Sequence, residues 1–389
     1  MSVLVVGASA AGLSTVEALR RAGHDGPVTV LGDEPHPPYD RPPLSKKVLA
    51  GEWEPDRVRL RTDEVLAGLD AEFVLGDAAV SLDAANRTAR TASGRELGAE
   101  RIVLATGVRP RTLPGHEELA GVHVLRTVED SLALRAELRP GARLVVVGEG
   151  VLGSEIAATA RAAGLHVTLT GPLPTPMAGQ LGPLVGGRLA ALHAERGVEL
   201  RLGHGVTGFT GQDRVTGVRL DSGDELPADV VVVAVGAVPN TGWLAGSGLR
   251  LDDGVVCDSR CRAAPGIYAV GDVCRWFDER TNSLLRLENR THATEQAGVV
   301  AANVLGADRA YSPIPFFWTD QYDVKIQVHG TVRPAADAEV VDGDLADGRF
   351  VVRYREDGRT TGVLGWNMPK QTRLRRQEIV EAAAAAPAR

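Results

Sequence analysis

The residues most able to do chemistry in this chain are two short small-residue turns, Gly7-Ala8-Ser9-Ala10-Ala11-Gly12 and Gly148-Glu149-Gly150-Val151-Leu152-Gly153. Each follows an apolar run, Val3-Leu4-Val5-Val6 or Leu144-Val145-Val146-Val147, and opens into an alanine-rich helical stretch. That strand-turn-helix context gives a weak pattern its weight. Small residues let the backbone approach a pyrophosphate, and the helix N-terminus behind the turn offers free N–H groups and a positive dipole end. Two such turns imply two dinucleotides in one protein, and the usual reason to hold two is to pass electrons between them.

The elements that position these turns are legible on either side. A helix over 13–21, a stop at Gly23 and a strand Val28–Leu31 make a βαβ start that ends in Gly32-Asp33-Glu34. An acid about twenty residues past the last glycine is where a ribose hydroxyl is held; Asp33 fits, with Glu34 as the alternative. The second copy repeats the plan, with a helix to Ala163, a stop at Gly164 and a strand over 167–169, but then gives Thr170-Gly171-Pro172. No acid stands there. Two further strand-to-glycine junctions, 102–107 and 230–236, close the units ahead of crossovers carrying Pro110 and Pro239. The halves therefore form an internal repeat, one nucleotide-binding unit inserted into another.

Intervening segments such as 215–224 read as solvent-facing β-ribbon. After about residue 308 the pattern changes to proline, aromatics and short alternating strands, including 350–354 and 361–365, which reads as a small third domain. The alanine run 382–386 ahead of Pro387 reads as a helix end without chemistry.

Composition bounds the function. A chain of 389 residues suggests two or three domains at about 150 residues each. At 44% hydrophobic and 24% charged residues it reads as globular, and a net charge of -7 argues against nucleic acid as a partner. No apolar run approaches the ~18 residues of a membrane span. The N-terminal apolar run ends in the first glycine turn, so it reads as a strand rather than a signal peptide, and no membrane association and a cytoplasmic location are expected. Cys257, Cys261 and Cys274 form no Cys-x-x-Cys pair, and the nine histidines show no metal-ligand spacing. No metal site is expected, the thiols read as buried, and the chemistry must come from bound cofactors.

Several local strings narrow the reading: Tyr39-Asp40-Arg41-Pro42-Pro43-Leu44-Ser45-Lys46, Leu125-Arg126-Thr127, Ile267-Tyr268-Ala269-Val270-Gly271-Asp272-Val273 and Phe317-Trp318-Thr319-Asp320-Gln321-Tyr322. In this order, with the two turns, the chain resembles the FAD-dependent ferredoxin reductases of the oxygenase-coupled, putidaredoxin-reductase-like type, whose fold is glutathione-reductase-like. The resemblance runs from Val3 to about Arg376. It implies an α/β architecture of two Rossmann-like domains and a small α+β C-terminal domain. The FAD-binding domain would be discontinuous, 1–108 and 235–307, with an NAD(P)H-binding domain at 109–234 and a C-terminal reductase domain at 308–389.

The resemblance also implies roles. Gly7, Ser9, Ala11 and Gly12 would cradle the pyrophosphate of a tightly bound FAD, with Asp33 or Glu34 on its ribose and Arg126 in a charge-assisted contact to its phosphates. Asp272, after Gly271, would meet the ribityl chain, its bland alternative being a helix N-cap. Trp318 would lie near the flavin ring, its alternative being an ordinary core aromatic. Arg41, Val80, Thr106, Gly107, Gly236 and Arg290 complete the implied cofactor-binding set, with Gly148, Gly150 and Gly153 at the nicotinamide nucleotide. Lys46, paired with Glu155, would organise the place where hydride moves; alone, a lysine after Pro-Pro-Leu-Ser would read as solvated.

Disulfide reductases of this superfamily carry a reactive cysteine after the first βαβ unit, where this chain has Pro35 to Lys46 without one. Electrons must then leave to an external acceptor. A ferredoxin is the expected partner, commonly acidic and steered by basic groups. Arg57, Arg59 and Arg61 would share one face if that run is extended, and Lys370, Arg373, Arg375 and Arg376 form a second cluster; scattered surface ion pairs are the alternative for both.

Two departures stand out. Gly171 replaces the acid that NADH-using relatives carry, so weak NADH/NADPH discrimination is expected, with NADH favoured and NADPH the alternative. Arg290 stands where many relatives place a tryptophan. Competing functions are an NAD(P)H oxidase or rubredoxin reductase, and a non-catalytic interaction protein gated by FAD and NADH; the acidic balance disfavours the last.

Overall fold

Runs of valine decide the two central sheets. Val3–Val6 and Val230–Val233 are buried at every position, as strands covered on both faces of a parallel sheet must be. The computed structural model describes residues 1–116 and 118–384, and the chain forms two compact units.

The first unit comprises Met1–Asp40, Asp56–Arg109 and Val238–Pro313. Its sheet has six strands in the order Arg262–Ala264, Ile267–Ala269, Arg101–Leu104, Val3–Val6, Val28–Leu31 and Glu72–Val74. Helices Ala10–Arg21 and Arg290–Val304 accompany it. Leu4, Val16, Leu19, Ile102, Ala297 and Val300 lie in one large core.

The second unit comprises Arg41–Pro55, Pro110–Ala237 and the chain from Ile314 on. Its parallel sheet runs Glu199–Leu202, His166–Gly171, Arg143–Val147, Val230–Val233 and Val122–His123. The repeat read from the sequence is visible in register. Val6 pairs with Leu31 and Leu104 in one unit, and Val147 pairs with Thr170 and Val233 in the other. A three-stranded antiparallel sheet precedes the closing strand both times, Ala79–Asp83, Thr88–Thr91 and Glu96–Gly98, then Val206–Gly211, Val215–Leu220 and Glu225–Pro227.

The second of these sheets is not the solvent-facing ribbon expected over 215–224. Val215, Val218, Leu220 and Leu226 are buried and share a core with Val145, Val147, Val231 and Val233. Only one face meets water, as is common for antiparallel sheets.

The C-terminal segment forms a five-stranded antiparallel sheet, Phe316–Gln321, Val324–Gly330, Arg359–Trp366, Arg349–Glu356 and Asp337–Asp344 in that order, followed by helix Pro369–Ala384. Ala385 and Ala386 of the expected helix end, with Pro387, lie outside the described residues. Ile326, Val328, Phe350, Tyr354 and Trp366 pack against Leu181, Val185 and Leu189 of helix Ala178–Glu195. That helix breaks at Gly182, φ +71°, ahead of Pro183, and Tyr354 donates its hydroxyl to the Leu181 carbonyl at 2.6 Å.

Candidate functional site

Each unit carries a turn that only glycine can hold. A Cβ on Gly7 would lie 2.2 Å from the Ala105 carbonyl oxygen, and one on Gly148 would lie 2.3 Å from that of Ala234, at φ +121° and +114°. Gly12 and Gly153 seat the following helix on the turn, since a Cβ there would fall 1.9 and 1.8 Å from the Gly7 and Gly148 carbonyl oxygens. Helix Ala10–Arg21 starts at Ser9 and helix Val151–Ala162 at Gly150, neither with a side-chain cap. The first-turn N–H groups of both are left for a ligand, which fits a dinucleotide pyrophosphate in each turn.

In the first unit Asp33 is exposed just past strand Val28–Leu31, its Oδ1 accepting the Glu34 N–H at 3.1 Å. Glu34 instead accepts from the Tyr39 hydroxyl, so Asp33 is the more open of the two acids. Thr106 and Gly107 are locked to Asn240 by three hydrogen bonds of 3.0 Å. Gly271 has φ +74° and donates its N–H to the buried Gln296 Oε1 at 2.7 Å. Asp272 sits inside the short turn Gly271–Val273, whose N-cap is Val270, so the capping alternative for Asp272 is not realised. Val80 is 41% exposed on strand Ala79–Asp83. Arg290 opens helix Arg290–Val304 and spends its guanidinium on Asp40 and Thr294.

The thiols are buried as expected. Gln296 Nε2 lies 3.3 and 3.4 Å from the Cys261 and Cys274 sulfurs. Burial pushes the Cys274 thiol well above the ordinary range, which keeps it protonated and unreactive.

In the second unit the structure brings Lys46 and Glu155 together. Their Nζ and Oε2 are 2.6 Å apart, with side chains 17% and 6% exposed. Lys46 is therefore not the solvated lysine its local sequence suggests. It ends the short turn Pro42–Ser45, and the preceding carbonyls are fixed: Ser131 donates to Leu44 O and Thr159 to Ser45 O, both at 2.8 Å. Glu155 and Thr159 are one turn apart on helix Val151–Ala162, so one helix face holds both the turn and its lysine.

Three side chains donate to the Glu155 carboxylate: Lys46 and Ser45 to Oε2, at 2.6 and 2.5 Å, and Thr319 to Oε1, at 2.7 Å. The network continues inward. Gln321 donates to Thr319 Oγ1 at 3.2 Å, so its Oε1 must accept the His193 Nε2–H at 2.8 Å, and His193 Nδ1 accepts from the Tyr322 hydroxyl at 3.2 Å. That tautomer is neutral, in keeping with burial, which pushes His193 down to about 4. Ser45, Thr319, Gln321 and His193 were not singled out in the sequence. Their signal was weak, since the consecutive polar residues Thr319, Asp320 and Gln321 that close strand Phe316–Gln321 read equally well as a solvated strand end.

Arg126 is placed by a capping box: Thr127 caps helix Val128–Glu137 while Asp130 accepts the Arg126 N–H at 2.8 Å. Arg41 donates to the Arg126 carbonyl at 2.7 Å. Trp318 is half-exposed and stacks on Phe316 with centroids 6.1 Å apart, so it is not a core aromatic. Gly236 has φ +93° and nothing within 4 Å of where a Cβ would stand.

The first arginine cluster does not form one basic face. Arg57 lies in the short helical turn Pro55–Val58, Arg59 pairs with Asp63, and Arg61 pairs with Glu17. In the second, Arg375 is tied to Asp342 and Glu378, whereas Lys370, Arg373 and Arg376 are exposed on helix Pro369–Ala384.

A further acid was missed. Glu149, inside the second fingerprint and only 4% exposed, lays its carboxylate against Gly171, where a Cβ would stand 1.5 Å from Oε2. Its Oε1 accepts the Leu173 N–H at 2.8 Å. The available signal was a charged residue inside a small-residue turn, coupled to a glycine at the end of the next strand.

Comparison with known proteins fits this geometry. Residues 1–297 match the family model described as pyridine nucleotide-disulphide oxidoreductase, and residues 316–389 match that of the reductase C-terminal domain. The chain belongs to the pyridine nucleotide-disulphide oxidoreductases, in their ferredoxin reductase branch. Among curated relatives, it is 35% identical to rhodocoxin reductase of Rhodococcus erythropolis over 95% of this chain and 87% of that one. Putidaredoxin reductase of Pseudomonas putida is 34% identical over 98% of this chain and 92% of its own. Among solved structures, the covalent putidaredoxin reductase–putidaredoxin complex matches with a TM-score of 0.93 at 33% identity, covering 98% of this chain and 93% of that one. The protein is thus a flavoprotein oxidoreductase with two Rossmann-like folds and an antiparallel C-terminal domain. Among the described residues, no helix is long and apolar enough to cross a membrane, and no cluster of side chains could hold a metal ion.

Proposed function

We infer that this protein is a ferredoxin reductase that takes hydride from NAD(P)H and delivers single electrons to a [2Fe–2S] or related ferredoxin feeding an oxygenase or cytochrome monooxygenase. The observation that carries this reading is the placement of the thiols. All three cysteines are buried in the first unit, and the segment before Lys46 holds none, so no dithiol of the chain is available as an exit for electrons. The acceptor must come from outside. The names of the relatives, which are reductases of rhodocoxin and putidaredoxin, support the same class of partner.

The residues proposed to hold FAD are Gly7, Ser9, Ala11, Gly12, Asp33, Glu34, Arg41, Val80, Thr106, Gly107, Arg126, Gly271, Asp272, Arg290 and Trp318. FAD, when bound, accepts two electrons with a hydride and releases them singly, which matches an iron-sulfur acceptor. Gly148, Gly150 and Gly153 form the nicotinamide nucleotide site, with NADH the favoured donor, and Gly236 belongs to the cofactor-binding set as a whole. Lys46 orients the transferring group while Glu155, held by Ser45 and Thr319, keeps the ammonium in place. The exposed Lys370, Arg373 and Arg376 favour encounter with an acidic ferredoxin by steering. The proposed division is an FAD domain of 1–108 and 235–307, an NAD(P)H domain of 109–234 and a C-terminal domain of 308–389, the last supported by the reductase C-terminal family model at 316–389. Operation in the cytoplasm, where NAD(P)H is supplied, completes the proposal.

The test is anaerobic reduction of the FAD-loaded protein by NADH, followed by titration with purified ferredoxins. Ferredoxin reduction much faster than reoxidation by oxygen alone is the expected result. Reoxidation by oxygen as fast as by any ferredoxin would assign an oxidase instead.

A further inference from the structure

The sequence leaves the second nucleotide site without a ribose-holding acid, but the structure supplies one from another position. Register makes the two units directly comparable. Because Val6 pairs with Leu31 and Val147 with Thr170, Gly7 corresponds to Gly148, Ala8 to Glu149, Gly32 to Gly171 and Asp33 to Pro172. In the first unit a small Ala8 faces Gly32, with a Cβ on Gly32 only 2.6 Å from that of Ala8, and the acid, Asp33, stands on the strand end. In the second unit the strand end, Gly171-Pro172, carries no acid, and the turn has gained one at Glu149. The gained carboxylate fills the space that any side chain at Gly171 would need.

The surroundings of Glu149 point to a ligand. The residue is 4% exposed, yet its carboxylate has one partner, the Leu173 N–H on Oε1. Among the described residues, Oε2 takes no hydrogen bond and no cation pairs with the group. Oε2 is thus left to accept from a group outside the chain. Its backbone position is nonetheless fixed, since Met177 N–H donates to the Glu149 carbonyl at 2.8 Å. A vicinal diol arriving beside Oε2 would supply the missing donors, and a phosphate there would meet a like charge.

We propose that Glu149 is the acceptor for the adenosine ribose hydroxyls of the nicotinamide nucleotide, and that it selects NADH against NADPH in place of the acid absent at Gly171. The inference rests on the reading of the second unit as the NAD(P)H site. It reverses the weak discrimination that Gly171 implies when the sequence is considered alone.

The test is equilibrium binding of NAD⁺ and NADP⁺ to the oxidised, FAD-loaded protein by calorimetry, which involves no turnover. Glu149→Gln keeps an acceptor for Leu173 but removes the charge. It should weaken NAD⁺ binding about tenfold to a hundredfold, the range for a hydrogen bond to a charged group. NADP⁺ binding should hold or tighten, so the ratio of the two dissociation constants falls at least about tenfold. The double variant Glu149→Gly with Gly171→Glu returns the carboxylate to the strand end, and should restore the wild-type preference. A Glu149→Gln protein with the wild-type ratio, or a double variant that stays at the single variant's ratio, would overturn the role of Glu149 and leave the site assignment standing. Wild-type protein that binds neither nucleotide would overturn the site assignment itself.

Discussion

Replacing Lys46 with alanine separates the chemistry of the Lys46–Glu155 pair from its contribution to folding. The change leaves the Glu155 carboxylate, with a side chain 6% exposed, holding two hydroxyl donors and no cation. Orphaning a buried charge in this way costs about 3–5 kcal/mol. Lys46 keeps 17% of its side chain in contact with solvent, so water can partly replace the ammonium, and the lower end, about 3 kcal/mol, is expected. A second variant, Lys46→Met with Glu155→Gln, removes both charges while the amide oxygen still accepts a hydroxyl. Its stability should return to within about 1 kcal/mol of wild type, one hydrogen bond being the remaining loss.

The rate of hydride transfer should not return with it. In anaerobic stopped-flow, the loss of oxidised-flavin absorbance on mixing with NADH should be slowed about tenfold to a hundredfold in both variants, equivalent to about 1.4–2.7 kcal/mol of barrier. FAD content, from the visible spectrum, should match wild type. Reduction at the wild-type rate by Lys46→Ala would refute the role of the lysine. A charge-free double variant that recovers rate together with stability would show that the pair acts only as a structural clasp.

The two cradles can be told apart by matched substitutions. Gly7→Ala drives a Cβ to 2.2 Å from the Ala105 oxygen and should give protein that purifies without yellow colour, whereas Gly148→Ala should stay yellow and lose reduction by NADH; a yellow Gly7→Ala protein would reverse the assignment. His193 has a folded pKa pushed down to about 4 by burial, so the unfolded chain binds the proton more readily. Stability from this group is complete above about 6.5 and is lost as pH falls toward 4, by about 3 kcal/mol in all; denaturant unfolding at pH 7 and pH 4.5 should show a smaller difference in His193→Gln than in wild type. If Lys370, Arg373 and Arg376 steer an acidic ferredoxin, its reduction should slow as salt rises while reduction of ferricyanide by NADH does not, and equal salt dependence would remove the steering.

The repeat was legible in the sequence because its signals are local. A four-residue apolar run, a glycine with positive φ and a small-residue helix start are each local backbone signals, and both copies folded as read. The ribbon at 215–224 was misjudged for the opposite reason. Alternation shows that one face is apolar but not what covers it, and here the cover is Val145, Val147, Val231 and Val233 of the parallel sheet. The arginines at 57, 59 and 61 share a face only in an extended strand, and Pro55 starts a helical turn instead. Lys46 and Glu155 are over a hundred residues apart, so only the family resemblance joined them. The hydroxyls that hold Glu155 had little sequence signal of their own, since serine and threonine satisfy a carboxylate wherever the fold delivers them.

Glu149 and Lys46 divide the proposed second site into a part that recognises and a part that reacts, and the fold connects them through one helix. Helix Val151–Ala162 begins two residues after Glu149 and carries Glu155 in its second turn. The connection is also made through side chains. Met177 donates its N–H to the Glu149 carbonyl and accepts Gln321 Nε2 on its sulfur at 3.5 Å, and Gln321 donates to Thr319, which donates to Glu155. The loop that would meet the ribose and the acid that holds Lys46 therefore stand on one packed, hydrogen-bonded framework, and neither can shift without disturbing buried partners. A site built this way gains from taking its ribose acid from the turn rather than from the strand end. The residue that discriminates the nucleotide is then attached to the helix that carries Glu155, so correct seating of the ribose and correct placement of the Lys46 ammonium depend on the same backbone.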